Sequence, residues 1–150
     1  MPTASQSRDR TGSIHALTEA LFYLALSIFF THELDAVLSH EWRVMPLLKL
    51  LPDKQGMMIF VATHIPLFAG ITAAAASRNQ KNRRITRLVI CMFLVFHAGL
   101  HYGFSGDPAY EFDALLSSGL IYGGAATGAL YLLLDQVVFR FCSTATKRPG

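Results

Sequence analysis

The sequence predicts an all-α integral membrane protein, a four-helix bundle with both termini on the cytoplasmic side. Three observations predict it. First, 52% of the side chains are hydrophobic and only 15% are charged, with a mean hydropathy of +0.37, whereas a soluble domain carries about a quarter charged residues. Second, four apolar stretches, approximately 14–35, 57–77, 87–104 and 113–139, approach the roughly 20 residues needed to cross a hydrocarbon core of about 30 Å. Third, basic residues mark alternate connections, as the positive-inside rule requires.

The polar segment before the first span carries Arg8 and Arg10, and no small-residue cleavage site follows the long apolar run. It therefore reads as a retained span rather than a cleaved signal. Residues 1–13 and 143–150 read as flexible tails of a single membrane domain. Between spans two and three lie Arg78, Lys81, Arg83, Arg84 and Arg87, and beyond span four lie Arg140, Lys147 and Arg148. These segments and the N-terminus are assigned to the cytoplasm. The opposite connections agree: 36–56 is mixed, and Asp107, Glu111 and Asp113 stand together without a Lys or Arg. The pI near 9.1 thus reflects topology, and no nucleic-acid partner is implied.

Topology sets depth. At about 1.5 Å per helical residue, His32, Glu33 and Asp35 come near the outer end of span one, and His64 about 10 Å below the outer surface in span two. His97 falls near mid-membrane in span three, with His101 one turn higher. Ionisable side chains at such depth are costly and mark candidate functional sites. The inner half holds only Glu19 and Asp135.

Span one ends in T-H-E-L-D-A-V-L-S-H-E-W, residues 31–42. On a helix, His32 and Asp35 share one face, while Glu33 and His40 share another. A metal site would take His32 and Asp35 as ligands and Glu33 as general base, with His40 and Glu41 as a lid. The alternative is a polar helix end meeting water, which is the simpler reading for His40 and Glu41. The H-E pair is not a zincin helix, because Ala36 stands where H-E-x-x-H needs its second histidine. In span two, Pro66 lies beside His64 and frees the carbonyl of Ala62. The bend either shapes a polar pocket or is satisfied by Thr63 and His64. Span three carries F-H-A-G-L-H-Y, in which His97 and His101 at i and i+4 can ligate one transition metal. Paired interhelical hydrogen bonds are the alternative, and Gly99 leaves room for another helix. Span four contains Gly119, Gly123, Gly124 and Gly128 in two G-x-x-x-G registers, a packing surface within the bundle, against a second copy or against a partner helix. Cys91 and Cys142 both fall on the reducing side and form no disulfide framework.

The combination of T-H-E-L-D-A, E-W, H-I-P-L and F-H-A-G-L-H-Y resembles an uncharacterised family of small four-span bacterial membrane proteins with a T-H-E-x-D-A…E-W signature. Thr31, His32, Glu33, Asp35, Ala36, Glu41, Trp42, His64, Pro66 and His97 match it. The resemblance implies the fold, the site and the inner (plasma) membrane of a bacterium, and it supplies no reaction. Three functions stay open. One is a metal centre of His32, Asp35, His64, His97 and His101 holding Zn²⁺ or Fe²⁺, with Glu33 as base in the hydrolysis of a lipid-like substrate. The second is a proton or ion translocator using the same groups together with Glu19 and Asp135. The third is an accessory subunit with a structural histidine network.

Overall fold

The computed structural model describes residues 4–145, with side chains over 12–137. Among the described residues there are four α-helices and no strand: α1 (Ala4–Leu38), α2 (Asp53–Ala75), α3 (Gln80–Phe104) and α4 (Leu115–Ala145). Each contains a stretch long and apolar enough to cross a membrane, so the expected multi-pass helical bundle is the fold found. Hydropathy locates the part of a helix suited to hydrocarbon rather than the helix ends. Accordingly α1 reaches back to Ala4 through a segment expected as tail, and α4 continues to Ala145. Helix α3 starts at Gln80, which puts Arg83, Arg84 and Arg87 on the helix instead of in a loop. Asn79 starts it by accepting hydrogen bonds from the Lys81 and Asn82 amides. Residues 1–3 and 146–150 of the expected tails, and the Cys142 side chain, lie outside the described residues.

Helix α4 packs along both α1 and α3, while α2 packs on α3 and on the connection from α1. Lipid provides no hydrophobic drive between helices, so close backbone approach must supply the contact energy. Gly128 is where that happens: a Cβ there would lie 2.9 Å from the Cys91 carbonyl oxygen. A Cβ on Gly124 would lie 3.2 Å from Ile28, whereas Gly119, Gly123 and Gly99 meet nothing within 4 Å. Two of the four glycines of span four are thus spent inside the bundle. Gly99 leaves the expected room, and among the described residues no helix fills it.

At the end that carries the α2–α3 turn, two ion pairs cross between helices. Glu19 of α1 pairs with Arg87 of α3, and Asp135 of α4 accepts from Arg84 of α3 at 2.8 Å. Arg87 is buried, and its guanidinium lies 4.7 Å from the centre of the Phe22 ring. Each of these two carboxylates therefore has its own arginine, which a low-dielectric setting demands.

At the opposite end α1 stops at Leu38, and His40 adopts φ 51, ψ 41. That left-handed turn is more often made by glycine. The His40 Nδ1 sits 2.8 Å from Glu111, a contact that favours this turn. The chain reverses into a 3-10 turn, Glu41–Arg43. Arg43 donates to Asp53 at 2.8 Å and to Glu111 at 2.9 Å, and the Trp42 indole donates to Asp53 at 2.9 Å. These bonds tie the α1–α2 connection to the start of α2 and to the α3–α4 connection. They hold Glu41 over the bundle.

Candidate metal centre

Helices α1 and α3 run side by side in the same direction, so the end of α1 meets the end of α3. His32 on α1 and His97 and His101 on α3 therefore turn their Nε2 atoms to one point. His97 Nε2 is 2.9 Å from His32 Nε2 and 3.0 Å from His101 Nε2. The carboxylate of Glu41 closes the fourth side, 4.0 Å from His32 and 3.8 Å from His101. All four ligand atoms lie within 4.8 Å of one another. His32, His97 and His101 are 2%, 8% and 3% exposed. Around them Phe112 packs edge-on to His101 at 4.6 Å, and Phe93 stacks on His97 at 5.1 Å.

The outward nitrogen of His101 also has a partner: Nδ1 lies 3.1 Å from the Tyr110 hydroxyl. Burial raises the Tyr110 phenol to about 12, so it stays protonated and acts as a neutral hydrogen-bonding group.

The five ligands expected from sequence do not all assemble. His32, His97 and His101 come together. His64 does not join them; its Nδ1–H donates to the Phe60 carbonyl at 2.6 Å and its Nε2 meets Glu33 at 2.7 Å. The Phe60 carbonyl can only accept, so Nδ1 carries a hydrogen, and His64 with Glu33 share a single proton across the second bond. Asp35 also stands outside the four ligand atoms that converge. Its Oδ2 and the Nδ1 of His32, one turn apart on α1, are buried without a hydrogen-bond partner among the described residues. The residue that sequence reasoning misplaced is Glu41, read as a solvated lid group. Helical periodicity cannot carry past Leu38, and only the left-handed turn at His40 returns Glu41 to the cluster.

Glu33, Glu41, His64, His97 and His101 open onto one cavity of about 650 Å³ between α1, α2, α3 and the α1–α2 connection. Its remaining walls are apolar, with Phe29, Leu67, Ile71, Val89 and Phe93 among them. The space exists because the α1 and α2 backbones stand apart. These helices meet through long side chains, Phe29 and Phe30 on Phe68 and Glu33 on His64.

Burial holds the Glu41 carboxyl at about 8, well above its usual range, and the carboxylates of Glu33 and Asp35 add to the shift. Without a bound ion the folded state thus binds this proton more tightly than the unfolded chain. The stability it confers is complete below the ordinary glutamate range and is lost as pH rises to about 8. A falling melting temperature between pH 5 and 8, flattened by Glu41→Gln, is the expected result of thermal scans on chelator-treated protein. A flat wild-type profile would contradict the burial of a carboxyl there.

These features define a class: a small multi-pass helical membrane protein with a buried His₃Glu cluster facing an apolar cavity. The chain belongs to a family of unknown function, DUF6713, whose profile matches residues 18–138. No curated protein and no solved structure matches the chain.

Proposed function

We propose that His32, His97, His101 and Glu41 bind one Zn²⁺ or Fe²⁺ ion and that the site hydrolyses a lipid-like ester held in the adjoining cavity. The observation that carries this reading is the convergence of three Nε2 atoms. An imidazole nitrogen offers one hydrogen or one lone pair. His97 Nε2 can therefore bond only one of its two neighbours, and a hydrogen-bond network leaves the trio unsatisfied. A cation accepts all three lone pairs at once. Tetrahedral ligands about 2.0–2.1 Å from zinc lie about 3.3 Å apart, so to hold the ion the His97 contacts at 2.9 and 3.0 Å would open slightly and the Glu41 carboxylate would close in from 3.8 and 4.0 Å.

Three imidazoles and a carboxylate suit either metal, and the Tyr110 contact of His101 is of the second-shell kind such ligands use. With Nε2 committed to the ion, the His101 Nδ1–H donates to Tyr110, and Asp35 is the carboxylate one turn from the His32 Nδ1–H. Held there, the ion supplies a Lewis acid that brings the pKa of a bound water toward about 7. Glu33 faces the same cavity: with the proton the pair already shares held on His64 Nε2, the free carboxylate oxygen of Glu33 takes the proton of the attacking water. As the water oxygen bonds to the acyl carbon, the ester C–O bond breaks. The Glu33–His64 pair then returns its proton to the leaving alkoxide, giving an acid and an alcohol.

Translocation draws less support, because Glu19 and Asp135, the two carboxylates expected to serve it, are each neutralised by an arginine. We place the chain in the inner (plasma) membrane of a bacterium, with the arginine end cytoplasmic and the metal centre in the outer half. Elemental analysis of detergent-purified protein tests the core of the reading. About one zinc or iron per chain is expected, and a substoichiometric trace of every transition metal after reconstitution would overturn it.

A further inference from the structure

The cavity is not uniformly lined: a single level of ionisable groups lies between an apolar outer wall and an apolar lower arm. Its ionisable groups fall at one level: Glu33 of α1, His64 of α2 and His97 and His101 of α3, with Glu41 above. Toward the arginine end the walls come from Phe29, Leu67, Ile71, Val89, Ile90 and Phe93, and none of these side chains has a hydrogen-bonding group. From Val89 to His97 is eight residues of α3, about 12 Å. One leaflet of a bilayer has a hydrocarbon depth of about 15 Å, half of the roughly 30 Å core. The apolar arm below the histidines is therefore about as deep as one lipid chain is long. The whole cavity, including an outer part walled by Val44, Met45, Pro46, Leu48, Leu100 and Phe104, has a volume of about 650 Å³, within the range of about 300–1,000 Å³ typical of ligand sites.

We infer that this cavity binds one hydrocarbon chain of a membrane lipid, with the chain end between Ile71 and Val89 and the polar head at the Glu33–His64 and His₃Glu level. The depth match and the apolar lower wall carry the chain itself. The placing of an ester or carboxyl head rests on the metal-centre reading above. In this pose the scissile carbonyl lies where the chain emerges from the apolar arm, so binding energy from the chain positions a group it does not contain. A substrate with a short acyl group lacks that anchor.

Trp42 is the only tryptophan in the chain, and its ring lies 6.0 Å from Phe60 of the cavity wall. It thus reports from the head end of the site. Detergent-purified full-length protein is titrated with fatty acid brominated near the carboxyl or near the methyl end. A second arm uses diacyl phospholipid brominated at the same depths. The expected result is saturable quenching of Trp42, stronger for bromine near the head and reversed by unlabelled oleic acid. Ile71→Phe and Val89→Phe fill the lower arm from two different helices. Each raises the half-quenching concentration about tenfold, the effect of excluding about two methylenes. Saturation by the free acid identifies a single-chain ligand, and saturation by the phospholipid alone identifies one chain of a diacyl lipid. Non-saturable quenching in metal-loaded protein, stronger quenching from the methyl end, or indifference to both substitutions overturns the inference and leaves the metal centre standing. Saturable, head-biased quenching in protein that binds no metal upholds the chain site and overturns the metal-centre reading.

Discussion

Replacing His97 by alanine is expected to abolish metal binding, with an affinity loss of more than about 100-fold, because even groups that only orient a ligand cost 10–100-fold when removed. His97 is the sharpest choice because its Nε2 contacts both other imidazole nitrogens, at 2.9 and 3.0 Å. The informative partner is His64→Ala. His64 bonds Glu33 and the Phe60 carbonyl instead of the cluster, so this variant keeps its metal and loses the proton-holding pair. Competition titration with a chromophoric chelator reads the first effect, and ester turnover by metal-loaded protein reads the second. If the two variants lost metal equally, His64 would be a ligand after all. The proton-relay role given to it here would then fall.

Gly128→Leu is expected to cost at least about 3 kcal/mol of bundle stability, as overpacking does where the neighbour cannot yield. The obstacle is backbone: the new Cβ alone would sit 2.9 Å from the Cys91 carbonyl oxygen, and a helical carbonyl cannot rotate away. Gly119→Leu is the control, since a Cβ there meets nothing within 4 Å. Unfolding titrations in mixed micelles should show the Gly128 variant collapsing at low denaturant while the Gly119 variant follows wild type. Equal losses in both would mean that α4 packs through a different face.

The separation between these two glycines illustrates what a sequence holds and what it omits. Both occur in the same G-x-x-x-G spacing, and small residues at that spacing do mark a packing helix. Which glycine meets a neighbour depends on the rotation of α4 about its axis. Large groups elsewhere set that rotation, among them Tyr131 in the core near the arginine pairs and Ile121 in the core near Trp42 and Phe112. The arginines tell a similar story. Their positions between spans two and three mark orientation, yet Arg84 and Arg87 also neutralise Asp135 and Glu19. That pairing follows from helix neighbours, which charge spacing along one strand of chain does not encode.

The site shows the same division. His97 and His101 were legible as a pair because i and i+4 share a helix face, and the structure has both in the cluster. His32 was legible as a costly group at membrane depth. His64 looked equivalent by the same criterion, but it sits on α2, whose backbone stands off from α1, and Glu33 lies nearer to it than the cluster does. Glu41 was hidden by a turn whose left-handed residue is a histidine, without the glycine that usually announces such a reversal.

The amino-acid sequence by itself determined that four apolar helices cross a membrane and that imidazoles and carboxylates crowd toward one end of them. Those properties follow from hydrocarbon thickness and from the pitch of a helix, both of which act along the chain. Tertiary structure alone decided that three histidines and Glu41 share a point while His64 and Glu33 share a proton. Convergence depends on which helices are neighbours, how each is rotated and where a connection doubles back. Those are set by packing between segments far apart in sequence.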